Sequence, residues 1–474
     1  MRLTTQARLS MLWTALSRVG IQVLQLVTFV ITAQWLSPAE YGTYAIVMLV
    51  VTLLVLFNDF GLQAAIVHDE SPSKSKLSTA FWLNVAVGLV FTASIALLAI
   101  PAGMLLDYPD IERALVVASI AFAVSVTVVP SALLQRTLRL GTLAAIEFGA
   151  NFCGSAVVIF LAWKGFGVVS LSFGPVATAL LITVTLSAVT RFRPRGWPTL
   201  ADLRSLWNFS ASLLGTNVSY YVFRNVDVMA LTATSSAQLV GIYSRAYSLV
   251  SAPVTQAGAV IGRVLFPILA RSQGQPSVMR ERWLRTTYAS FGILLPVSVS
   301  FAFVAPYVVR VFFEPRWYGL ATIISILSLA VPARLLCNAM GPVYQATGNT
   351  TPLFRVTLVQ GAALIAGVGI GTVWGPEGVA WGVVVATNLA AYVPISVGLK
   401  FIRMRVSRLL FSLRRILLAA ACQCVVMAVY RLSGGADSDW ISLGVCLGLG
   451  LGVYLLVGRV SDRDFFGKLT GRAS

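Results

Sequence analysis

Eight charged side chains interrupt long apolar stretches of this chain, and they are the residues best suited to chemistry. Five are arginines and three are acids: Arg18, Arg224, Arg245, Arg263 and Arg334, with Asp59, Glu147 and Asp227. A charge inside an apolar segment is costly, so it usually faces a polar cavity or a partner of opposite sign. Guanidinium groups bind phosphate oxygens in a bidentate way. These arginines therefore predict either a cationic cavity for phosphate groups or a set of pairings between helices.

The depth of each arginine in its apolar segment separates the two interpretations. Arg263 is about one turn from the end of its segment, which favours extension of the side chain toward the membrane surface. Glu147 is also close to a loop, and we assign it a local structural role. The predicted substrate-binding residues of the cavity are Arg18, Arg224, Arg245 and Arg334.

The remaining acids are predicted to pair with arginines or to couple an ion. Asp227 follows Arg224 by three residues, so the two share one helix face and could neutralise each other. Asp59 could pair with Arg18 on a neighbouring helix or serve as a proton or cation site. Both alternatives stay open for Asp59 and Asp227.

The elements that position these charges are apolar runs of membrane-spanning length. Hydrophobic residues make up 57% of the 474 residues and charged residues 11%. About 20 apolar residues of helix cross a bilayer core, and we count fourteen such runs. The expected fold is therefore an all-α polytopic membrane protein with about 14 transmembrane helices. Prolines inside the runs, such as Pro130, Pro296 and Pro332, predict bends.

Basic residues alternate between the two sides of these spans. With the N-terminus in the cytoplasm, 25 of the 35 lysines and arginines fall on the cytoplasmic side and 5 on the other. This bias predicts that both termini are cytoplasmic. The net charge of +18 then reflects topology and anionic lipid, and no nucleic-acid partner is expected. The five cysteines lie inside spans, and no catalytic triad or metal-ligand spacing occurs. We therefore expect no enzyme activity, no catalytic residue, no cofactor and no metal site.

An internal repeat divides the chain. Ser, Gly and Tyr match at an offset of 199 residues between the segments 37–44 and 236–243. Each segment follows the first span of a six-helix set. Because six is an even number of spans, the two sets have the same orientation in the membrane. The predicted organisation is a six-helix bundle at 1–190, a basic junction at 191–204, a second six-helix bundle at 205–402, helices 13 and 14 at 403–460, and a cytoplasmic tail at 461–474.

Several short motifs resemble one known family. They are Leu133–Arg139 with Ala145-Ile146-Glu147, Trp35–Gly42, Phe60–Ala65, Ala80–Asn84, Asn225-Val226-Asp227, Gly241–Tyr247 and Gln345–Gly348. In order and spacing they resemble the Wzx-type oligosaccharide flippases, a polysaccharide transporter family of the MOP superfamily of MATE-like exporters. The family usually carries a basic residue just before the outer loop after span 1, where this chain has Gln34. A substrate contact made there would have to come from another residue.

The resemblance implies two pseudo-symmetric six-helix bundles around a cavity that opens to alternate sides of the bacterial inner membrane. The expected cargo is a polyprenyl-diphosphate-linked oligosaccharide for exopolysaccharide, capsule or O-antigen synthesis. The expected partners are this lipid-linked glycan, membrane lipid, and possible polymerase and export proteins. Two alternatives remain: a MATE-type cation-coupled exporter of organic cations, and a membrane scaffold or enzyme subunit of a glycan-polymerising complex. Cation export would call for uncompensated acids, whereas the spans hold more arginines than acids.

Overall fold

A computed structural model of the full chain describes the fold. It describes all residues except 1, 60, 70–71, 106–107, 109, 200–201, 204–217, 219–220, 434–437 and 462–474, and it leaves out the side chains of 2–12, 15, 59, 64, 105, 350 and 461. The described residues form helices joined by short loops, without strands among them. They divide into two compact units, residues 1–232 with 236–241, and residues 233–235 with 242–474. The bundle boundaries drawn from the sequence stay predictions.

The first unit contains eight helices before the basic junction. They are α1 Arg2–Thr32, α2 Pro38–Asp59, α3 Leu62–His68, α4 Lys74–Leu105, α5 Ile111–Val124, α6 Val128–Arg136, α7 Leu140–Trp163 and α8 Val168–Thr190. The described part of the next helix, α9, covers 221–234. Helix α5 packs against α2, α4 and α8, and α7 packs against α1 and α8. Apolar side chains of α2, α4 and α5, such as Val47, Ala99 and Phe122, form one buried core.

The second unit contains most of α10 and all of the helices that follow. Their bounds are α10 Ala237–Ala270, α11 Pro276–Phe312, α12 Gly319–Ser328, α13 Val331–Ala346, α14 Thr350–Gly371, α15 Gly375–Phe401, α16 Val406–Leu432 and α17 Asp439–Ser461. Helices α14 and α15 pack closely because Gly367 and Gly371 face Gly382 and Gly378 across the crossing. Gly369, between them, faces away.

The described segments confirm a polytopic helical membrane fold. Nine are long and apolar enough to cross a bilayer, or eleven if each of two bent helix pairs counts as one span. One of the nine, Thr351–Phe401, contains both α14 and α15. Within the predicted first span, the structure describes a shorter apolar helix, Leu16–Thr32. The predicted seventh span lies partly outside the described residues, so the count of fourteen is consistent with the structure without being fixed by it.

The fourth span of each half is broken in the same way. Helices α5 and α6 meet at 49°, and the α12 and α13 segments also meet at 49°. The Thr183 hydroxyl donates a hydrogen bond to the Val124 carbonyl at the first break, 2.8 Å away. The Asn388 side-chain nitrogen donates to the Leu329 carbonyl at the second, 3.3 Å away. The two donors are 205 residues apart in the sequence, and so are the two acceptors. The two halves therefore repeat a tertiary contact as well as a sequence motif.

Helices α16 and α17 attach to α11 at the kink around Pro296. Pro296 in α11 has no N–H to donate to the carbonyl of Gly292, four residues earlier. The Tyr454 hydroxyl of α17 donates to that carbonyl instead, at 2.8 Å. The Gln423 side chain of α16 donates to the Pro296 carbonyl at 3.1 Å. Buried polar groups need such partners, so these contacts hold both helices against α11.

We expect Tyr454→Phe to destabilise the protein because it leaves the Gly292 carbonyl without this donor. The expected cost is about 1 kcal/mol in the free energy of unfolding. Pro296→Ala restores a backbone N–H to α11, so Tyr454→Phe should cost much less in that background. Thermal unfolding of the two single variants and the double variant measures the coupling. Equal costs of Tyr454→Phe in both backgrounds would show that the kink does not need the hydroxyl.

The basic junction is held to the first turns of α4 by its backbone and by alternate side chains. Phe192 lies inward against Phe81, with ring centroids 5.9 Å apart, while Arg191, Arg193 and Arg195 are exposed. The Arg195 nitrogen donates to the Ser78 hydroxyl at 2.8 Å. Trp197 stacks on Trp82 with centroids 5.9 Å apart. The period-two pattern of exposure is that of an extended strand with one apolar face.

Asp202 links the junction to the first turn of α4 through its side-chain hydrogen bonds. Hydrogen bonds from the Ser75 and Thr199 hydroxyls, each 2.7 Å long, hold the pKa of the Asp202 carboxyl below its usual value, with a further contribution from the charge of Lys76. A carboxyl with a lowered folded-state pKa stabilises the structure above its unfolded pKa, about 3.9. This contribution is lost as pH falls through the folded-state pKa.

We therefore expect acid to loosen the junction in the wild type below about pH 4. The measurement is hydrogen exchange of the Arg195 and Thr199 amides, which donate to the Ser78 and Thr79 hydroxyls of α4. The Asp202→Asn variant should show faster exchange of these amides already at neutral pH and no further loss of protection on acidification. A wild-type acid transition that survives in Asp202→Asn would assign it to another group.

Candidate functional site

Arg334 lies next to the break in the fourth span of the second unit. Helix α13 begins at Val331, directly after the break, so Arg334 is in its first turn. Its Nη1 donates a hydrogen bond to the Ser251 hydroxyl of α10 at 3.0 Å. Its guanidinium carbon lies 5.3 Å from the ring centroid of Tyr247, within cation–π range. The side chain is half-buried. It is therefore a charged group held in place by neutral partners.

Asn338 extends this polar surface by one turn of α13. Its side-chain amide lies against Gly258 of α10, where a Cβ would come within 2.5 Å of the amide nitrogen. We call Tyr247, Ser251, Arg334 and Asn338 the polar strip. Sequence reasoning named Arg334 and missed the other three residues of the strip. Their spacing carried the signal, because Tyr247 and Ser251 are four residues apart, as are Arg334 and Asn338.

An apolar pocket borders the polar strip. Its lining comes from α10, α11, α12 and α13 and includes Pro253, Val297, Phe301 and Leu335. Leu335 follows Arg334 in the chain, and Val250, also in the lining, precedes Ser251. The pocket and the polar strip thus lie on neighbouring faces of α10 and α13, and the Arg334 guanidinium keeps donors beyond the one used on Ser251. That combination suits a molecule with an anionic head and a hydrocarbon tail.

Arg245 lies on α10 as well, but on a different face from the strip. At about 100° per residue, its position is about 120° around the helix from Ser251. Arg245 is half-buried and the neighbouring Ser244 and Ala246 are buried. Its predicted role in substrate binding is therefore separate from that of Arg334 and stays a prediction.

Arg18 lies on an exposed face of α1, and its charge acts on Glu147 of α7. Helices α1 and α7 pack side by side, and the two charges are close enough to interact electrostatically. The sequence had suggested Asp59 as a possible partner. Asp59 ends α2, and its side chain lies outside the described residues. The structure thus brings Arg18 to Glu147, an acid that had been given only a local role.

Arg224 and Asp227 both lie on α9 but differ in exposure. Arg224 is exposed, whereas the Asp227 side chain is 2% exposed and accepts a hydrogen bond from the Val228 backbone nitrogen at 2.9 Å. Arg263 is exposed on α10, in keeping with a side chain directed outward. Cavity roles for Arg18, Arg224 and Arg245 and ion coupling by Asp59 or Asp227 stay predictions.

The two repeat segments found in the sequence touch each other. A Cβ on Gly42 would overlap the carbonyl of Ala237, and a Cβ on Gly241 would overlap the carbonyl of Pro38. Both glycines and both carbonyls are related by the same offset of 199 residues, so the contact is its own image under the repeat. We call Pro38, Gly42, Ala237 and Gly241 the glycine seam. Only residues without a Cβ allow backbones to approach this closely.

The residues before Gly42 fix where α2 begins. The Glu40 carboxylate accepts hydrogen bonds from the Ser37 backbone nitrogen at 2.6 Å and from the Ser37 hydroxyl at 2.8 Å. The Glu40 nitrogen in turn donates to the Ser37 hydroxyl at 3.3 Å. This reciprocal pattern is a capping box. It fixes the start of α2, where Pro38 and Gly42 of the seam lie.

Comparison with known sequences places the chain among proteins of glycan synthesis. A family profile described as polysaccharide biosynthesis protein matches residues 31–322. The chain is 25% identical over 384 residues to the succinoglycan biosynthesis transport protein ExoT of Rhizobium meliloti (strain 1021), covering 80% of this chain and 78% of that one. It is 25% identical over 375 residues to the lipopolysaccharide biosynthesis protein WzxC of Escherichia coli (strain K12), covering 76% and 74%.

Solved structures agree on the fold. The inward closed conformation of the lipid II flippase MurJ superposes with a TM-score of 0.77 at 14% identity, covering 96% of this chain and 99% of that one. An inward-facing multidrug resistance transporter of the MATE family, in the MOP superfamily, superposes with a TM-score of 0.63 at 16% identity, covering 83% and 98%. The fold is thus the MATE-like helical fold expected from the sequence. With the profile matching well over half of its length, the chain belongs to the polysaccharide biosynthesis protein family.

Proposed function

We propose that this protein is an inner-membrane flippase for polyprenyl-diphosphate-linked oligosaccharides. It accepts the lipid-linked glycan on the cytoplasmic side and releases it on the other side by alternating access. The observation that carries the proposal is Arg334, held in the second unit by Ser251 and Tyr247 beside an apolar pocket, in a member of the polysaccharide biosynthesis protein family.

The polar strip can recognise the diphosphate of such a lipid. Arg334 uses one N–H on Ser251 and keeps further donors for phosphate oxygens, which match the guanidinium fork. Tyr247 supports the cation from its ring face. The Asn338 amide offers a donor and an acceptor for sugar hydroxyls. The apolar pocket beside the strip accommodates the first carbons of the polyprenyl chain.

The glycine seam supports alternating access. Backbone contact through glycines is close but carries no interlocking side chains, so it can separate and re-form as a unit. The symmetric arrangement makes the N-termini of α2 and α10 move apart together. In this proposal the seam is closed while cargo enters from the cytoplasm, and it opens when cargo leaves.

The proposal includes the topology of the protein and its partners. Both termini lie in the cytoplasm, in accord with the distribution of lysines and arginines. The protein does no covalent chemistry, and its cargo passes to polymerising and exporting proteins on the outer side. Arg18, Arg224 and Arg245 contribute further cationic contacts along the route.

Reconstitution of the full chain in vesicles tests the function. A polyprenyl-diphosphate-linked oligosaccharide with a fluorescent sugar is placed in both leaflets, and a membrane-impermeant reducing quencher reports the label on the outside. Vesicles with the protein should lose nearly all of the signal, and empty vesicles about half. Equal loss from both preparations would contradict the flippase. Uptake of an organic cation by the same vesicles, without glycan movement, would favour a MATE-type exporter instead.

A further inference from the structure

The break between α5 and α6 leaves a backbone carbonyl with spare capacity inside the membrane. In a continuous helix the Phe122 carbonyl would accept a hydrogen bond from the nitrogen of Val126. That nitrogen instead donates to the Val124 carbonyl at 3.1 Å and to the Thr183 hydroxyl at 3.2 Å. The Phe122 carbonyl keeps only a long contact of 3.3 Å from the Ser125 nitrogen. Unwound carbonyls of broken membrane helices are common ligands for cations.

Two buried asparagines lie next to this break. Asn58 near the end of α2 is 6% exposed, and Asn84 in α4 is 1% exposed. Their side-chain oxygens are both fully buried, and neither accepts a hydrogen bond from the described residues. The Asn84 side-chain nitrogen makes a weak contact of 3.5 Å with the Asn58 carbonyl. An unsatisfied buried acceptor costs about 1–3 kcal/mol, so two together call for a partner.

The surroundings of Gly88 show that the Phe122 carbonyl and the Asn58 side-chain oxygen converge. It follows Asn84 by one turn of α4, on the same face. A Cβ on Gly88 would lie 2.5 Å from the Phe122 carbonyl oxygen and 3.7 Å from the Asn58 side-chain oxygen. Two acceptor oxygens, from α2 and α5, therefore border one small region, and the Asn84 side chain of α4 contacts Asn58 beside it.

We propose that the Asn58 and Asn84 side-chain oxygens and the Phe122 carbonyl form a binding site for a sodium ion. All three ligands are hard oxygens, which alkali and alkaline-earth cations prefer. All three are also neutral. A divalent ion buried among neutral ligands would keep a large uncompensated charge, so a monovalent ion fits better. Water molecules complete the coordination shell.

A water molecule alone is the competing occupant. Water can donate to two acceptors, which would satisfy both asparagines. It would then need a donor of its own and would leave the Phe122 carbonyl as it is. A cation satisfies all three oxygens at once and needs no donor.

Sodium binding at this site acts on the shape of the fourth span. The Phe122 carbonyl is available because α5 ends two residues later, at Val124. An ion that binds this carbonyl stabilises the bent form over a continuous helix by mass action. The inference goes beyond the proposed function, which names no driving ion, and it does not depend on the cargo.

Thermal unfolding of the purified full-length protein in detergent tests the site. Sodium chloride replaces choline chloride at constant ionic strength, and the wild type should show a saturable rise in Tm. Asn84→Leu should fold and lose the sodium dependence. Asn84→Asp should bind sodium more tightly, with a midpoint lower by on the order of tenfold, because a carboxylate replaces a neutral oxygen.

Asn151→Leu is the matched control, because this asparagine lies in the same unit and donates to the Glu147 carbonyl at 2.8 Å. It should keep the wild-type response to sodium. A wild-type Tm that is the same in sodium and choline would overturn the site and favour water. A sodium response that is unchanged in both Asn84 variants would place the ion elsewhere. Neither result touches glycan transport, which the vesicle experiment measures separately.

Discussion

Arg334→Ala is expected to abolish most glycan transport while leaving a folded protein. Alanine removes the only described charge of the polar strip, and with it the proposed bidentate contact to the diphosphate. A hydrogen bond to a charged group contributes about 1.5–3 kcal/mol, so transport at limiting substrate should fall about 10- to 100-fold. Arg334→Lys keeps the charge and loses the planar fork, and it should retain intermediate activity.

Two controls separate substrate binding from structural support. Ser251→Ala removes the partner of Arg334 but not its charge, and it should reduce transport only a few-fold. Arg263→Ala removes an exposed arginine of the same unit and should transport as the wild type does. Thermal unfolding verifies that each variant is folded. Full transport by a folded Arg334→Ala protein would remove the polar strip from the proposed site.

The second large effect is expected at the glycine seam. In Gly42→Val or Gly241→Val, the new side chain would occupy the place of a backbone carbonyl on the other segment. The N-termini of α2 and α10 would then be kept apart, so the seam could not close. We expect either variant to lose nearly all transport and to expose the seam to solvent, which hydrogen exchange of segments 37–44 and 236–243 would detect.

Because the seam is symmetric, a double variant tests it more strictly than the single variants do. Because each glycine contributes to one shared contact, the double variant should be hardly worse than either single variant. Gly262→Val is the control, since it lies on α10 and its Cβ would meet nothing within 4 Å. Additive losses in the double variant would mean that the two glycines act independently, and normal transport by both single variants would show that the seam need not close.

The break in each fourth span shows how far sequence reasoning extended. Pro130 and Pro332 were expected to mark bends, and each stands two or three residues into the helix that follows its break. The sequence did not indicate that Thr183 and Asn388 would cap the two breaks, because these residues are about 60 positions away from them. Such a contact depends on the rotation of a distant helix, which local composition does not encode.

In the candidate site, too, the sequence indicated some residues and only the structure identified the others. Arg334 stood out because a charge in an apolar run is costly wherever its neighbours lie. Tyr247, Ser251 and Asn338 did not stand out, because neutral polar residues are common in membrane helices. Asn58 and Asn84 also became significant only when the structure placed their oxygens beside an unwound carbonyl.

The sequence by itself determined that the protein is a helical membrane protein with a repeated half. The free energy of placing a segment in lipid is a sum over its own residues, and a repeat is a property of the chain order. Tertiary structure alone decided which polar groups meet. The sequence showed Gly42 and Gly241 as equivalent positions of a repeat with an offset of 199 residues, but only the packing of α2 and α10 brings them into contact.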